Sequence, residues 1–387
     1  MSEEQPFIPV CEPALLGNEL EYVSEAVRTG WISSSGKYVG EFERSFAEYC
    51  GVKYGVGVCN GTVAIHLALR AAGVGPGDEV VIPDFTMIAT AFAVCYAGAK
   101  PVFVDVDART WNMDPDAFEA AITSKTKAVI PVHIMGLPCA MNAIQAIADR
   151  HGIAVIEDAA ESHGAEYDGR KTGGLAKMAA FSFFANKNLT TGEGGMVVTD
   201  DEELYQRLKY LKNLAFPLGA AREYVHDEIG FNYRLSNLHA AVGLAQVEKA
   251  DDYRRMRIEN HELYRKHLSD IPGIEHQFDP VHDSGVADGS ETRAVHVHWM
   301  NAICLDPKEF GVGRDELMSR LKAVGIDSRK LFTGMHRQKS LRDYGCDVGG
   351  EFPQTDRLAA NGLYLPSSST LDEAAIRRIC AAVRDAR

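Results

Sequence analysis

The chain has 387 residues, 46% of them hydrophobic and 24% charged, with a formal charge of −14 at neutral pH. That length exceeds what a single hydrophobic core serves, so two domains are expected: a large one over residues 1–249 and a smaller one over residues 250–387. The acidic balance argues against nucleic acid and anionic membranes as partners, and no apolar run is long enough to cross a bilayer.

The opening Met1-Ser-Glu-Glu-Gln-Pro6 lacks the basic and apolar regions of a secretory signal, so a cytoplasmic location is expected. The eight cysteines are scattered without a CxxC pair, and there is no HExxH or similar ligand set. Neither a disulfide framework nor a metal site is expected.

In chain order, Leu20, Val23 and Val27 have the spacing of an amphipathic helix over 16–28, which Gly30-Trp31-Ile-Ser33-Ser-Ser-Gly36 interrupts. A second helix over 39–50 carries Phe42, Phe46 and Tyr49 on one face, a core stripe. A strand over 53–59 then meets Asn60-Gly61-Thr62, which opens a helix to about residue 72. A helix start offers unpaired amides and a positive dipole end, so Gly61 and Thr62 read as a phosphate cup once a cofactor lysine is in view. Gly73-Val-Gly-Pro-Gly77 follows a helix and fails as a dinucleotide fingerprint. Strands at 80–82, 101–106 and 127–133, with a helix over 115–122, compose βαβ units and predict a mainly parallel sheet.

The apolar strand over 153–156 runs into Glu157-Asp158-Ala-Ala-Glu161-Ser-His163, placing acids at a strand's carboxyl end, where open α/β sheets gather ligands. A second apolar run, 180–184, ends in Asn186-Lys187-Asn188, and a Gly-rich turn leads to another strand at 196–198. A lysine at a strand end loses solvation, which favours the neutral amine able to form a Schiff base with an aldehyde. Pyridoxal 5'-phosphate is the fitting aldehyde, and it needs a carboxylate at its ring nitrogen. Asp158 is assigned that contact and Lys187 the covalent one.

A helix over 201–214 precedes an irregular stretch, 215–228, ending in Ile229-Gly-Phe-Asn232-Tyr-Arg234. From Leu235 a long helix with Leu238, Ala241, Leu244 and Val247 at helical spacing leads toward the second domain. A polar stretch over 280–291 reads as an exposed loop. Strand patterns near 296–305, a helix at 314–324 and a closing helix from Asp372 complete a small α/β unit.

The segments Trp31 to Gly36, Asn60-Gly-Thr62, Glu157 to Glu161, Phe181 to Gly195, Gly230 to Arg234 and Gly325-Ile-Asp-Ser-Arg329 closely resemble, in order, the DegT/DnrJ/EryC1/StrS family of nucleotide-sugar aminotransferases. The resemblance spans nearly the whole chain. It implies an aspartate aminotransferase-like α/β fold (fold type I), a pyridoxal phosphate enzyme, glutamate as amino donor, a nucleotide-sugar acceptor, and a homodimer with shared active sites. Within the family, Phe181-Ser-Phe-Phe-Ala-Asn-Lys187 and Thr190-Thr-Gly-Glu-Gly-Gly195 look most like the branch that aminates C4 of a GDP-linked 4-keto-6-deoxy sugar in polysaccharide biosynthesis; GDP-4-keto-6-deoxymannose is the expected acceptor.

The resemblance also implies residue roles. Glu161 would lie near the ring hydroxyl, Ser182 at the phosphate, and Asn232 at the phosphate of the neighbouring subunit's cofactor. Met87 occupies a position where the family commonly stacks an aromatic ring on the cofactor, a departure that exchanges flat stacking for a polarisable sulfur. Trp31, Ser33, Arg329 and His336 would contact the sugar nucleotide, and Lys37, Arg222, Arg234 and Arg329 are the cations available against its negative charge. His163 reads as a packing or tuning residue and not as an acid/base catalyst. A dehydratase branch of the family carries histidine in place of the Schiff-base lysine, so Lys187 argues against it. A silent pyridoxal-binding regulator is the rival from another class, and a nicotinamide reductase lacks a fingerprint.

Overall fold

The computed structural model describes residues 6–219, 224–283 and 294–387. Seven strands form the larger sheet: β1 (Tyr54–Val58), β2 (Glu79–Pro83), β3 (Lys100–Val104), β4 (Thr126–Val129), β5 (Ala154–Asp158), β6 (Met178–Ser182) and β7 (Gly195–Thr199). Their spatial order is β1-β7-β6-β5-β4-β2-β3. The pairs β2–β3, β2–β4, β4–β5 and β5–β6 are parallel, while β7 runs antiparallel to both β6 and β1. Helices cover the sheet, as buried parallel strands require. The middles of the central strands are accordingly apolar, with Val80, Val81, Ile82, Val129 and Ile156 inaccessible to solvent.

A second, antiparallel sheet is built from β8 (Ile274–His276), β9 (Asn301–Leu305), β10 (Arg329–Lys330) and β11 (Gly362–Leu365), in the order β8-β9-β11-β10. The long helix Ala250–Leu268 and the closing helix Glu373–Asp385 pack against its core through Tyr264, Leu268, Ile376, Ile379 and Val383. Ile8 joins this cluster, and its backbone pairs with Ile326. The amino-terminal segment therefore packs with the carboxy-terminal sheet. The result is the expected α/β architecture, a large mostly parallel sheet with a smaller α/β unit beside it.

Helix α1 (Glu19–Arg28) and helix α2 (Lys37–Cys50) lie on one face with the helix Asn237–Val247. The stripe expected on α2 is core: Phe42 and Phe46 are fully buried and meet Phe181 and Phe183 edge-on, with His163 among them. Burying one such ring contributes about 2–3 kcal/mol, and truncating it to alanine costs about 3–5. The expectation for α1 is corrected. Leu20 is 81% exposed and Val27 58%, because the helix docks through Ala26, Tyr22 and Val23 and turns the other apolar side chains outward.

The helix expected from Leu235 is Asn237–Val247, and a separate helix, Ala250–Leu268, follows it after Glu248-Lys249. The strand patterns expected near 296–305 resolve into two separate strands. Ala294–Val295 pairs with the hairpin strand Glu166–Tyr167, and β9 begins only at Asn301. Between them His298 has φ of +46°, a left-handed conformation that ends extended pairing. Arg222 and part of the 280–291 stretch lie outside the described residues.

Candidate active site

The site lies at the carboxyl ends of β5 and β6. After β6 the chain turns, with the Lys187 amide donating to the Phe184 carbonyl at 2.9 Å, and returns through Thr191, whose amide bonds Phe183. This turn directs Lys187 inward. Its side chain is only 11% exposed, and its Nζ lies 3.9 Å from Glu161 Oε1 and 3.8 Å from the centre of the Trp299 ring. Burial lowers the ammonium pKa from its usual value, opposed by the nearby charges of Glu161 and Asp158. An amine in that setting is readily made neutral and nucleophilic.

Asp158, the last residue of β5, is buried, and its Oδ2 accepts a 2.7 Å bond from the Thr90 hydroxyl of helix α4 (Ile88–Tyr96). The Ala160 amide donates to Oδ1. Burial raises the carboxyl pKa, while these two donors and Lys187 hold it down. Behind it Glu157 accepts from the amides of Gly173, Leu175 and Ala176 and pairs with His133 Nε2 at 3.1 Å. The first acid of the Glu-Asp pair thus fixes the loop while the second faces the site.

Glu161 Oε2 accepts a 2.7 Å bond from the Met135 amide, and burial pushes its carboxyl up to about 7. Met135 has φ of +55°, a strained conformation that orients this amide. His163 is buried among Phe46, Phe181 and Phe183 with neither ring nitrogen hydrogen-bonded, and burial lowers its pKa to about 3. Its surroundings are those of a packing residue.

Helix α3 (Gly61–Ala71) begins beside Ser182. The Asn60 side chain accepts from the Val63 amide and Asn60 O from the Ala64 amide, leaving the Gly61 and Thr62 amides at the helix opening. A Cβ on Gly61 would stand 2.7 Å from Ser182 Cβ, so only glycine lets the two backbones approach this closely. Amides, dipole end and the Ser182 hydroxyl together make a cup suited to a phosphate. The buried amine, the buried acid and this cup fit pyridoxal phosphate by the chemistry of their donors. A separate cavity of about 760 Å³, lined by Ala154, Lys177, Met178 and Arg207, lies at the opposite, amino ends of β5 and β6.

The structure places the remaining expected residues as follows. Met87 caps α4 and is 50% exposed. Trp31 and Ser33 are exposed on a loop pinned by Asn237, whose Nδ2 donates to the Trp31 carbonyl and whose amide donates to that of Ser33. Asn232 is exposed at a short bridge with Asn213. Arg329 pairs across β10–β11 with Tyr364 and reaches Asp327 at 3.4 Å. His336 is buried, its Nδ1 held by Asp84 Oδ2 at 2.6 Å and its Nε2 by Asp356 at 3.2 Å. Lys37 is paired with Glu25, and Arg234 donates to Asn213.

Sequence reasoning missed Thr90, Met135, Asn237 and Trp299. Trp299 covers Lys187 while its Nε1–H donates to the Asn186 carbonyl at 2.8 Å. Only Thr90 carried a local signal, as a buried hydroxyl in the first turn of an otherwise apolar helix.

A buried lysine facing acids at the carboxyl end of a mostly parallel sheet, with a phosphate cup alongside, is the arrangement of an α/β enzyme that works through a lysine Schiff base. Residues 13–384 match the DegT/DnrJ/EryC1/StrS aminotransferase family. The chain is 42% identical over 378 residues to a GDP-perosamine synthase of Caulobacter vibrioides, covering 98% of each. It is 37% identical over 370 residues to the "Putative pyridoxal phosphate-dependent aminotransferase EpsN" of Bacillus subtilis, covering 93% of this chain and 91% of that one. The solved structure of S. venezuelae DesV superposes with a TM-score of 0.88 at 33% identity, covering 98% of both. The chain belongs to the DegT/DnrJ/EryC1/StrS aminotransferase family, and it is an enzyme.

Proposed function

We propose that this enzyme uses pyridoxal 5'-phosphate to move an amino group from glutamate to the C4 keto group of a GDP-linked 4-keto-6-deoxy sugar, with GDP-4-keto-6-deoxymannose as acceptor. The observation that carries the reading is the buried Lys187 amine, 3.9 Å from Glu161 and within the field of Asp158. The similarity to a GDP-perosamine synthase over nearly the whole chain supports the choice of acceptor.

When bound, the cofactor supplies an aldehyde carbon that takes up the donor's nitrogen and a ring that accepts the electron pair left as the donor's C–H bond breaks. Gly61, Thr62 and Ser182 would hold its phosphate. Asp158, fixed by Thr90, would hold a proton on its ring nitrogen, and Glu161 would face its hydroxyl. Met87 would cover a ring face. Lys187 Nζ would take the proton from the donor carbon and return it on the other side of the transfer, a shuttle its lowered pKa favours. The indole of Trp299 limits water around that nitrogen. Trp31, Ser33, Arg329 and His336 belong to the acceptor side in this reading, His336 through the wall it forms with Asp84.

The enzyme would work as a homodimer. Leu15, Leu16, Leu20, Val27, Trp31 and Ile32 are each at least half exposed in the single chain, and Asn232 stands outward where a partner's cofactor phosphate could meet it. The function is tested by mass spectrometry after incubation with glutamate and GDP-4-keto-6-deoxymannose. The expected products are the 4-amino sugar nucleotide and 2-oxoglutarate in equal amounts. Turnover only with a keto sugar on another nucleotide would replace the acceptor, and no release of 2-oxoglutarate at all would favour a silent regulator.

A further inference from the structure

We propose that the smaller unit binds a divalent metal ion of the zinc class through His261, Asp279 and His282. Each residue offers a ligand atom within 4.8 Å of the other two. His261 comes from the middle of the helix Ala250–Leu268, and Asp279 and His282 from the segment after β8.

His261 and Asp279 are almost fully buried. His261 Nδ1 lies 2.9 Å from Asn301 Oδ1, an oxygen that can only accept, so the proton sits on Nδ1 and the lone pair on Nε2. That Nε2 has no hydrogen-bond partner, yet it faces Asp279 Oδ2 at 3.6 Å. A lone pair opposite a carboxylate oxygen in a buried place is repulsive, and a cation between them reverses the sign. The partner that fixes the tautomer, Asn301, is the kind of outer contact that orients metal-bound imidazoles.

The surroundings supply little positive charge to the Asp279 carboxylate. Its Oδ1 accepts from the Val281 amide, and its Oδ2 lies 3.1 Å from His298 Nε2. His298 is stacked on His261 at 3.5 Å and on His296 at 3.7 Å between ring centres. The Arg265 guanidinium, one turn along the same helix, is paired with Asp283 at 2.8 Å. His282 lies at the exposed rim, 3.1 Å from Glu262, and gives an ion a route in from solvent.

Two imidazoles and one carboxylate suit Zn²⁺ or Co²⁺ and not Mg²⁺ or Ca²⁺, which prefer oxygen shells. Tetrahedral zinc wants its donors about 3.4 Å apart, so the three must close slightly, which the rim residue His282 can do by a rotamer change. Bound there, the ion would tie the long helix to the segment after β8, while His298, beside it, leads directly into the Trp299 that covers Lys187.

The test uses tag-free, cofactor-loaded enzyme, chelator-treated and then titrated with Co²⁺ while the visible d–d bands of tetrahedral cobalt are followed. The expected result is one Co²⁺ per chain, displaced by Zn²⁺ but not by Mg²⁺, with affinity reduced roughly tenfold or more in His282→Ala and Asp279→Asn. His239→Ala, an exposed histidine elsewhere, should bind as wild type does. Because His282 is at the surface, its variant keeps the test valid even if Asp279→Asn does not fold. Absence of stoichiometric cobalt binding, or undiminished binding by His282→Ala, would overturn the proposal.

Discussion

Lys187 Nζ and Glu161 Oε1 stand 3.9 Å apart, both largely buried, and burial moves their two pKa values in opposite directions while the charge of each partner opposes the shift of the other. Burial lowers that of the lysine and raises that of the glutamic acid to about 7 from 4.5. Between these two pH values the folded chain keeps a proton on Glu161 that the unfolded chain has released. Its contribution to stability is therefore fully present below 4.5 and is lost as the pH rises through 7. Glu161→Gln removes that loss. In the cofactor-free protein, the variant should gain on wild type by roughly 3 kcal/mol at most between pH 4.5 and 8. Urea unfolding at both pH values checks this; an unchanged difference between the two proteins would contradict the raised pKa.

Lys187→Ala leaves the phosphate cup and Asp158 untouched, so the variant should fold and retain cofactor. Borohydride reduction and peptide mapping should find a pyridoxyl group on Lys187 in wild type and none at that position in the variant. Multiple turnover should fall on the order of 10³-fold, the usual size of a positioned acid–base group. Normal turnover would remove Lys187 from the catalytic role.

Gly61→Ala puts a methyl 2.7 Å from Ser182 Cβ, and neither backbone can yield freely. The expected outcome is a stability loss of about 1–3 kcal/mol together with weaker cofactor loading, measured by reconstitution of the apo-enzyme. Wild-type loading in a folded variant would place the phosphate elsewhere.

Met87→Tyr restores an aromatic face at a half-exposed position beside α4. Cofactor retention should tighten by roughly 0.5–1.5 kcal/mol, the value of an aromatic pair. Weaker binding on reconstitution would show that the side chain at 87 does not cover the ring.

A shared site predicts complementation. Lys187→Ala and an Asn232 variant that loses cofactor should each be inactive. In differently tagged mixed dimers, one site receives the intact Lys187 of one chain and the intact Asn232 of the other, so part of the activity should return. If both residues served the same chain's cofactor, every site would carry one lesion and mixing would recover nothing.

What the sequence determined by itself is the part of the molecule written in local chemistry. Alternation of apolar runs and amphipathic helices specifies the large mostly parallel sheet, because strands and helices declare themselves within a few residues. The Asn60-Gly61-Thr62 helix start and the Glu157-Asp158 strand end are likewise local, and so is the turn that carries Lys187. Only the tertiary structure decided which apolar face is covered. Leu20 and Val27 have helical spacing, yet they face outward because α1 joins the core through Ala26, Tyr22 and Val23. It also decided the company of the reactive groups. Trp299 reaches Lys187, Thr90 reaches Asp158 and Asp84 holds His336 across 112, 68 and 252 residues of chain, respectively. The histidines around Asp279 show the same limit: spaced apart they resemble no ligand motif, and it is the packing of the Ala250–Leu268 helix against the segment after β8 that brings them together. Periodicity records what a residue does to its neighbours in sequence, whereas a site depends on where chain entropy and core packing bring distant side chains, and no short window carries that information.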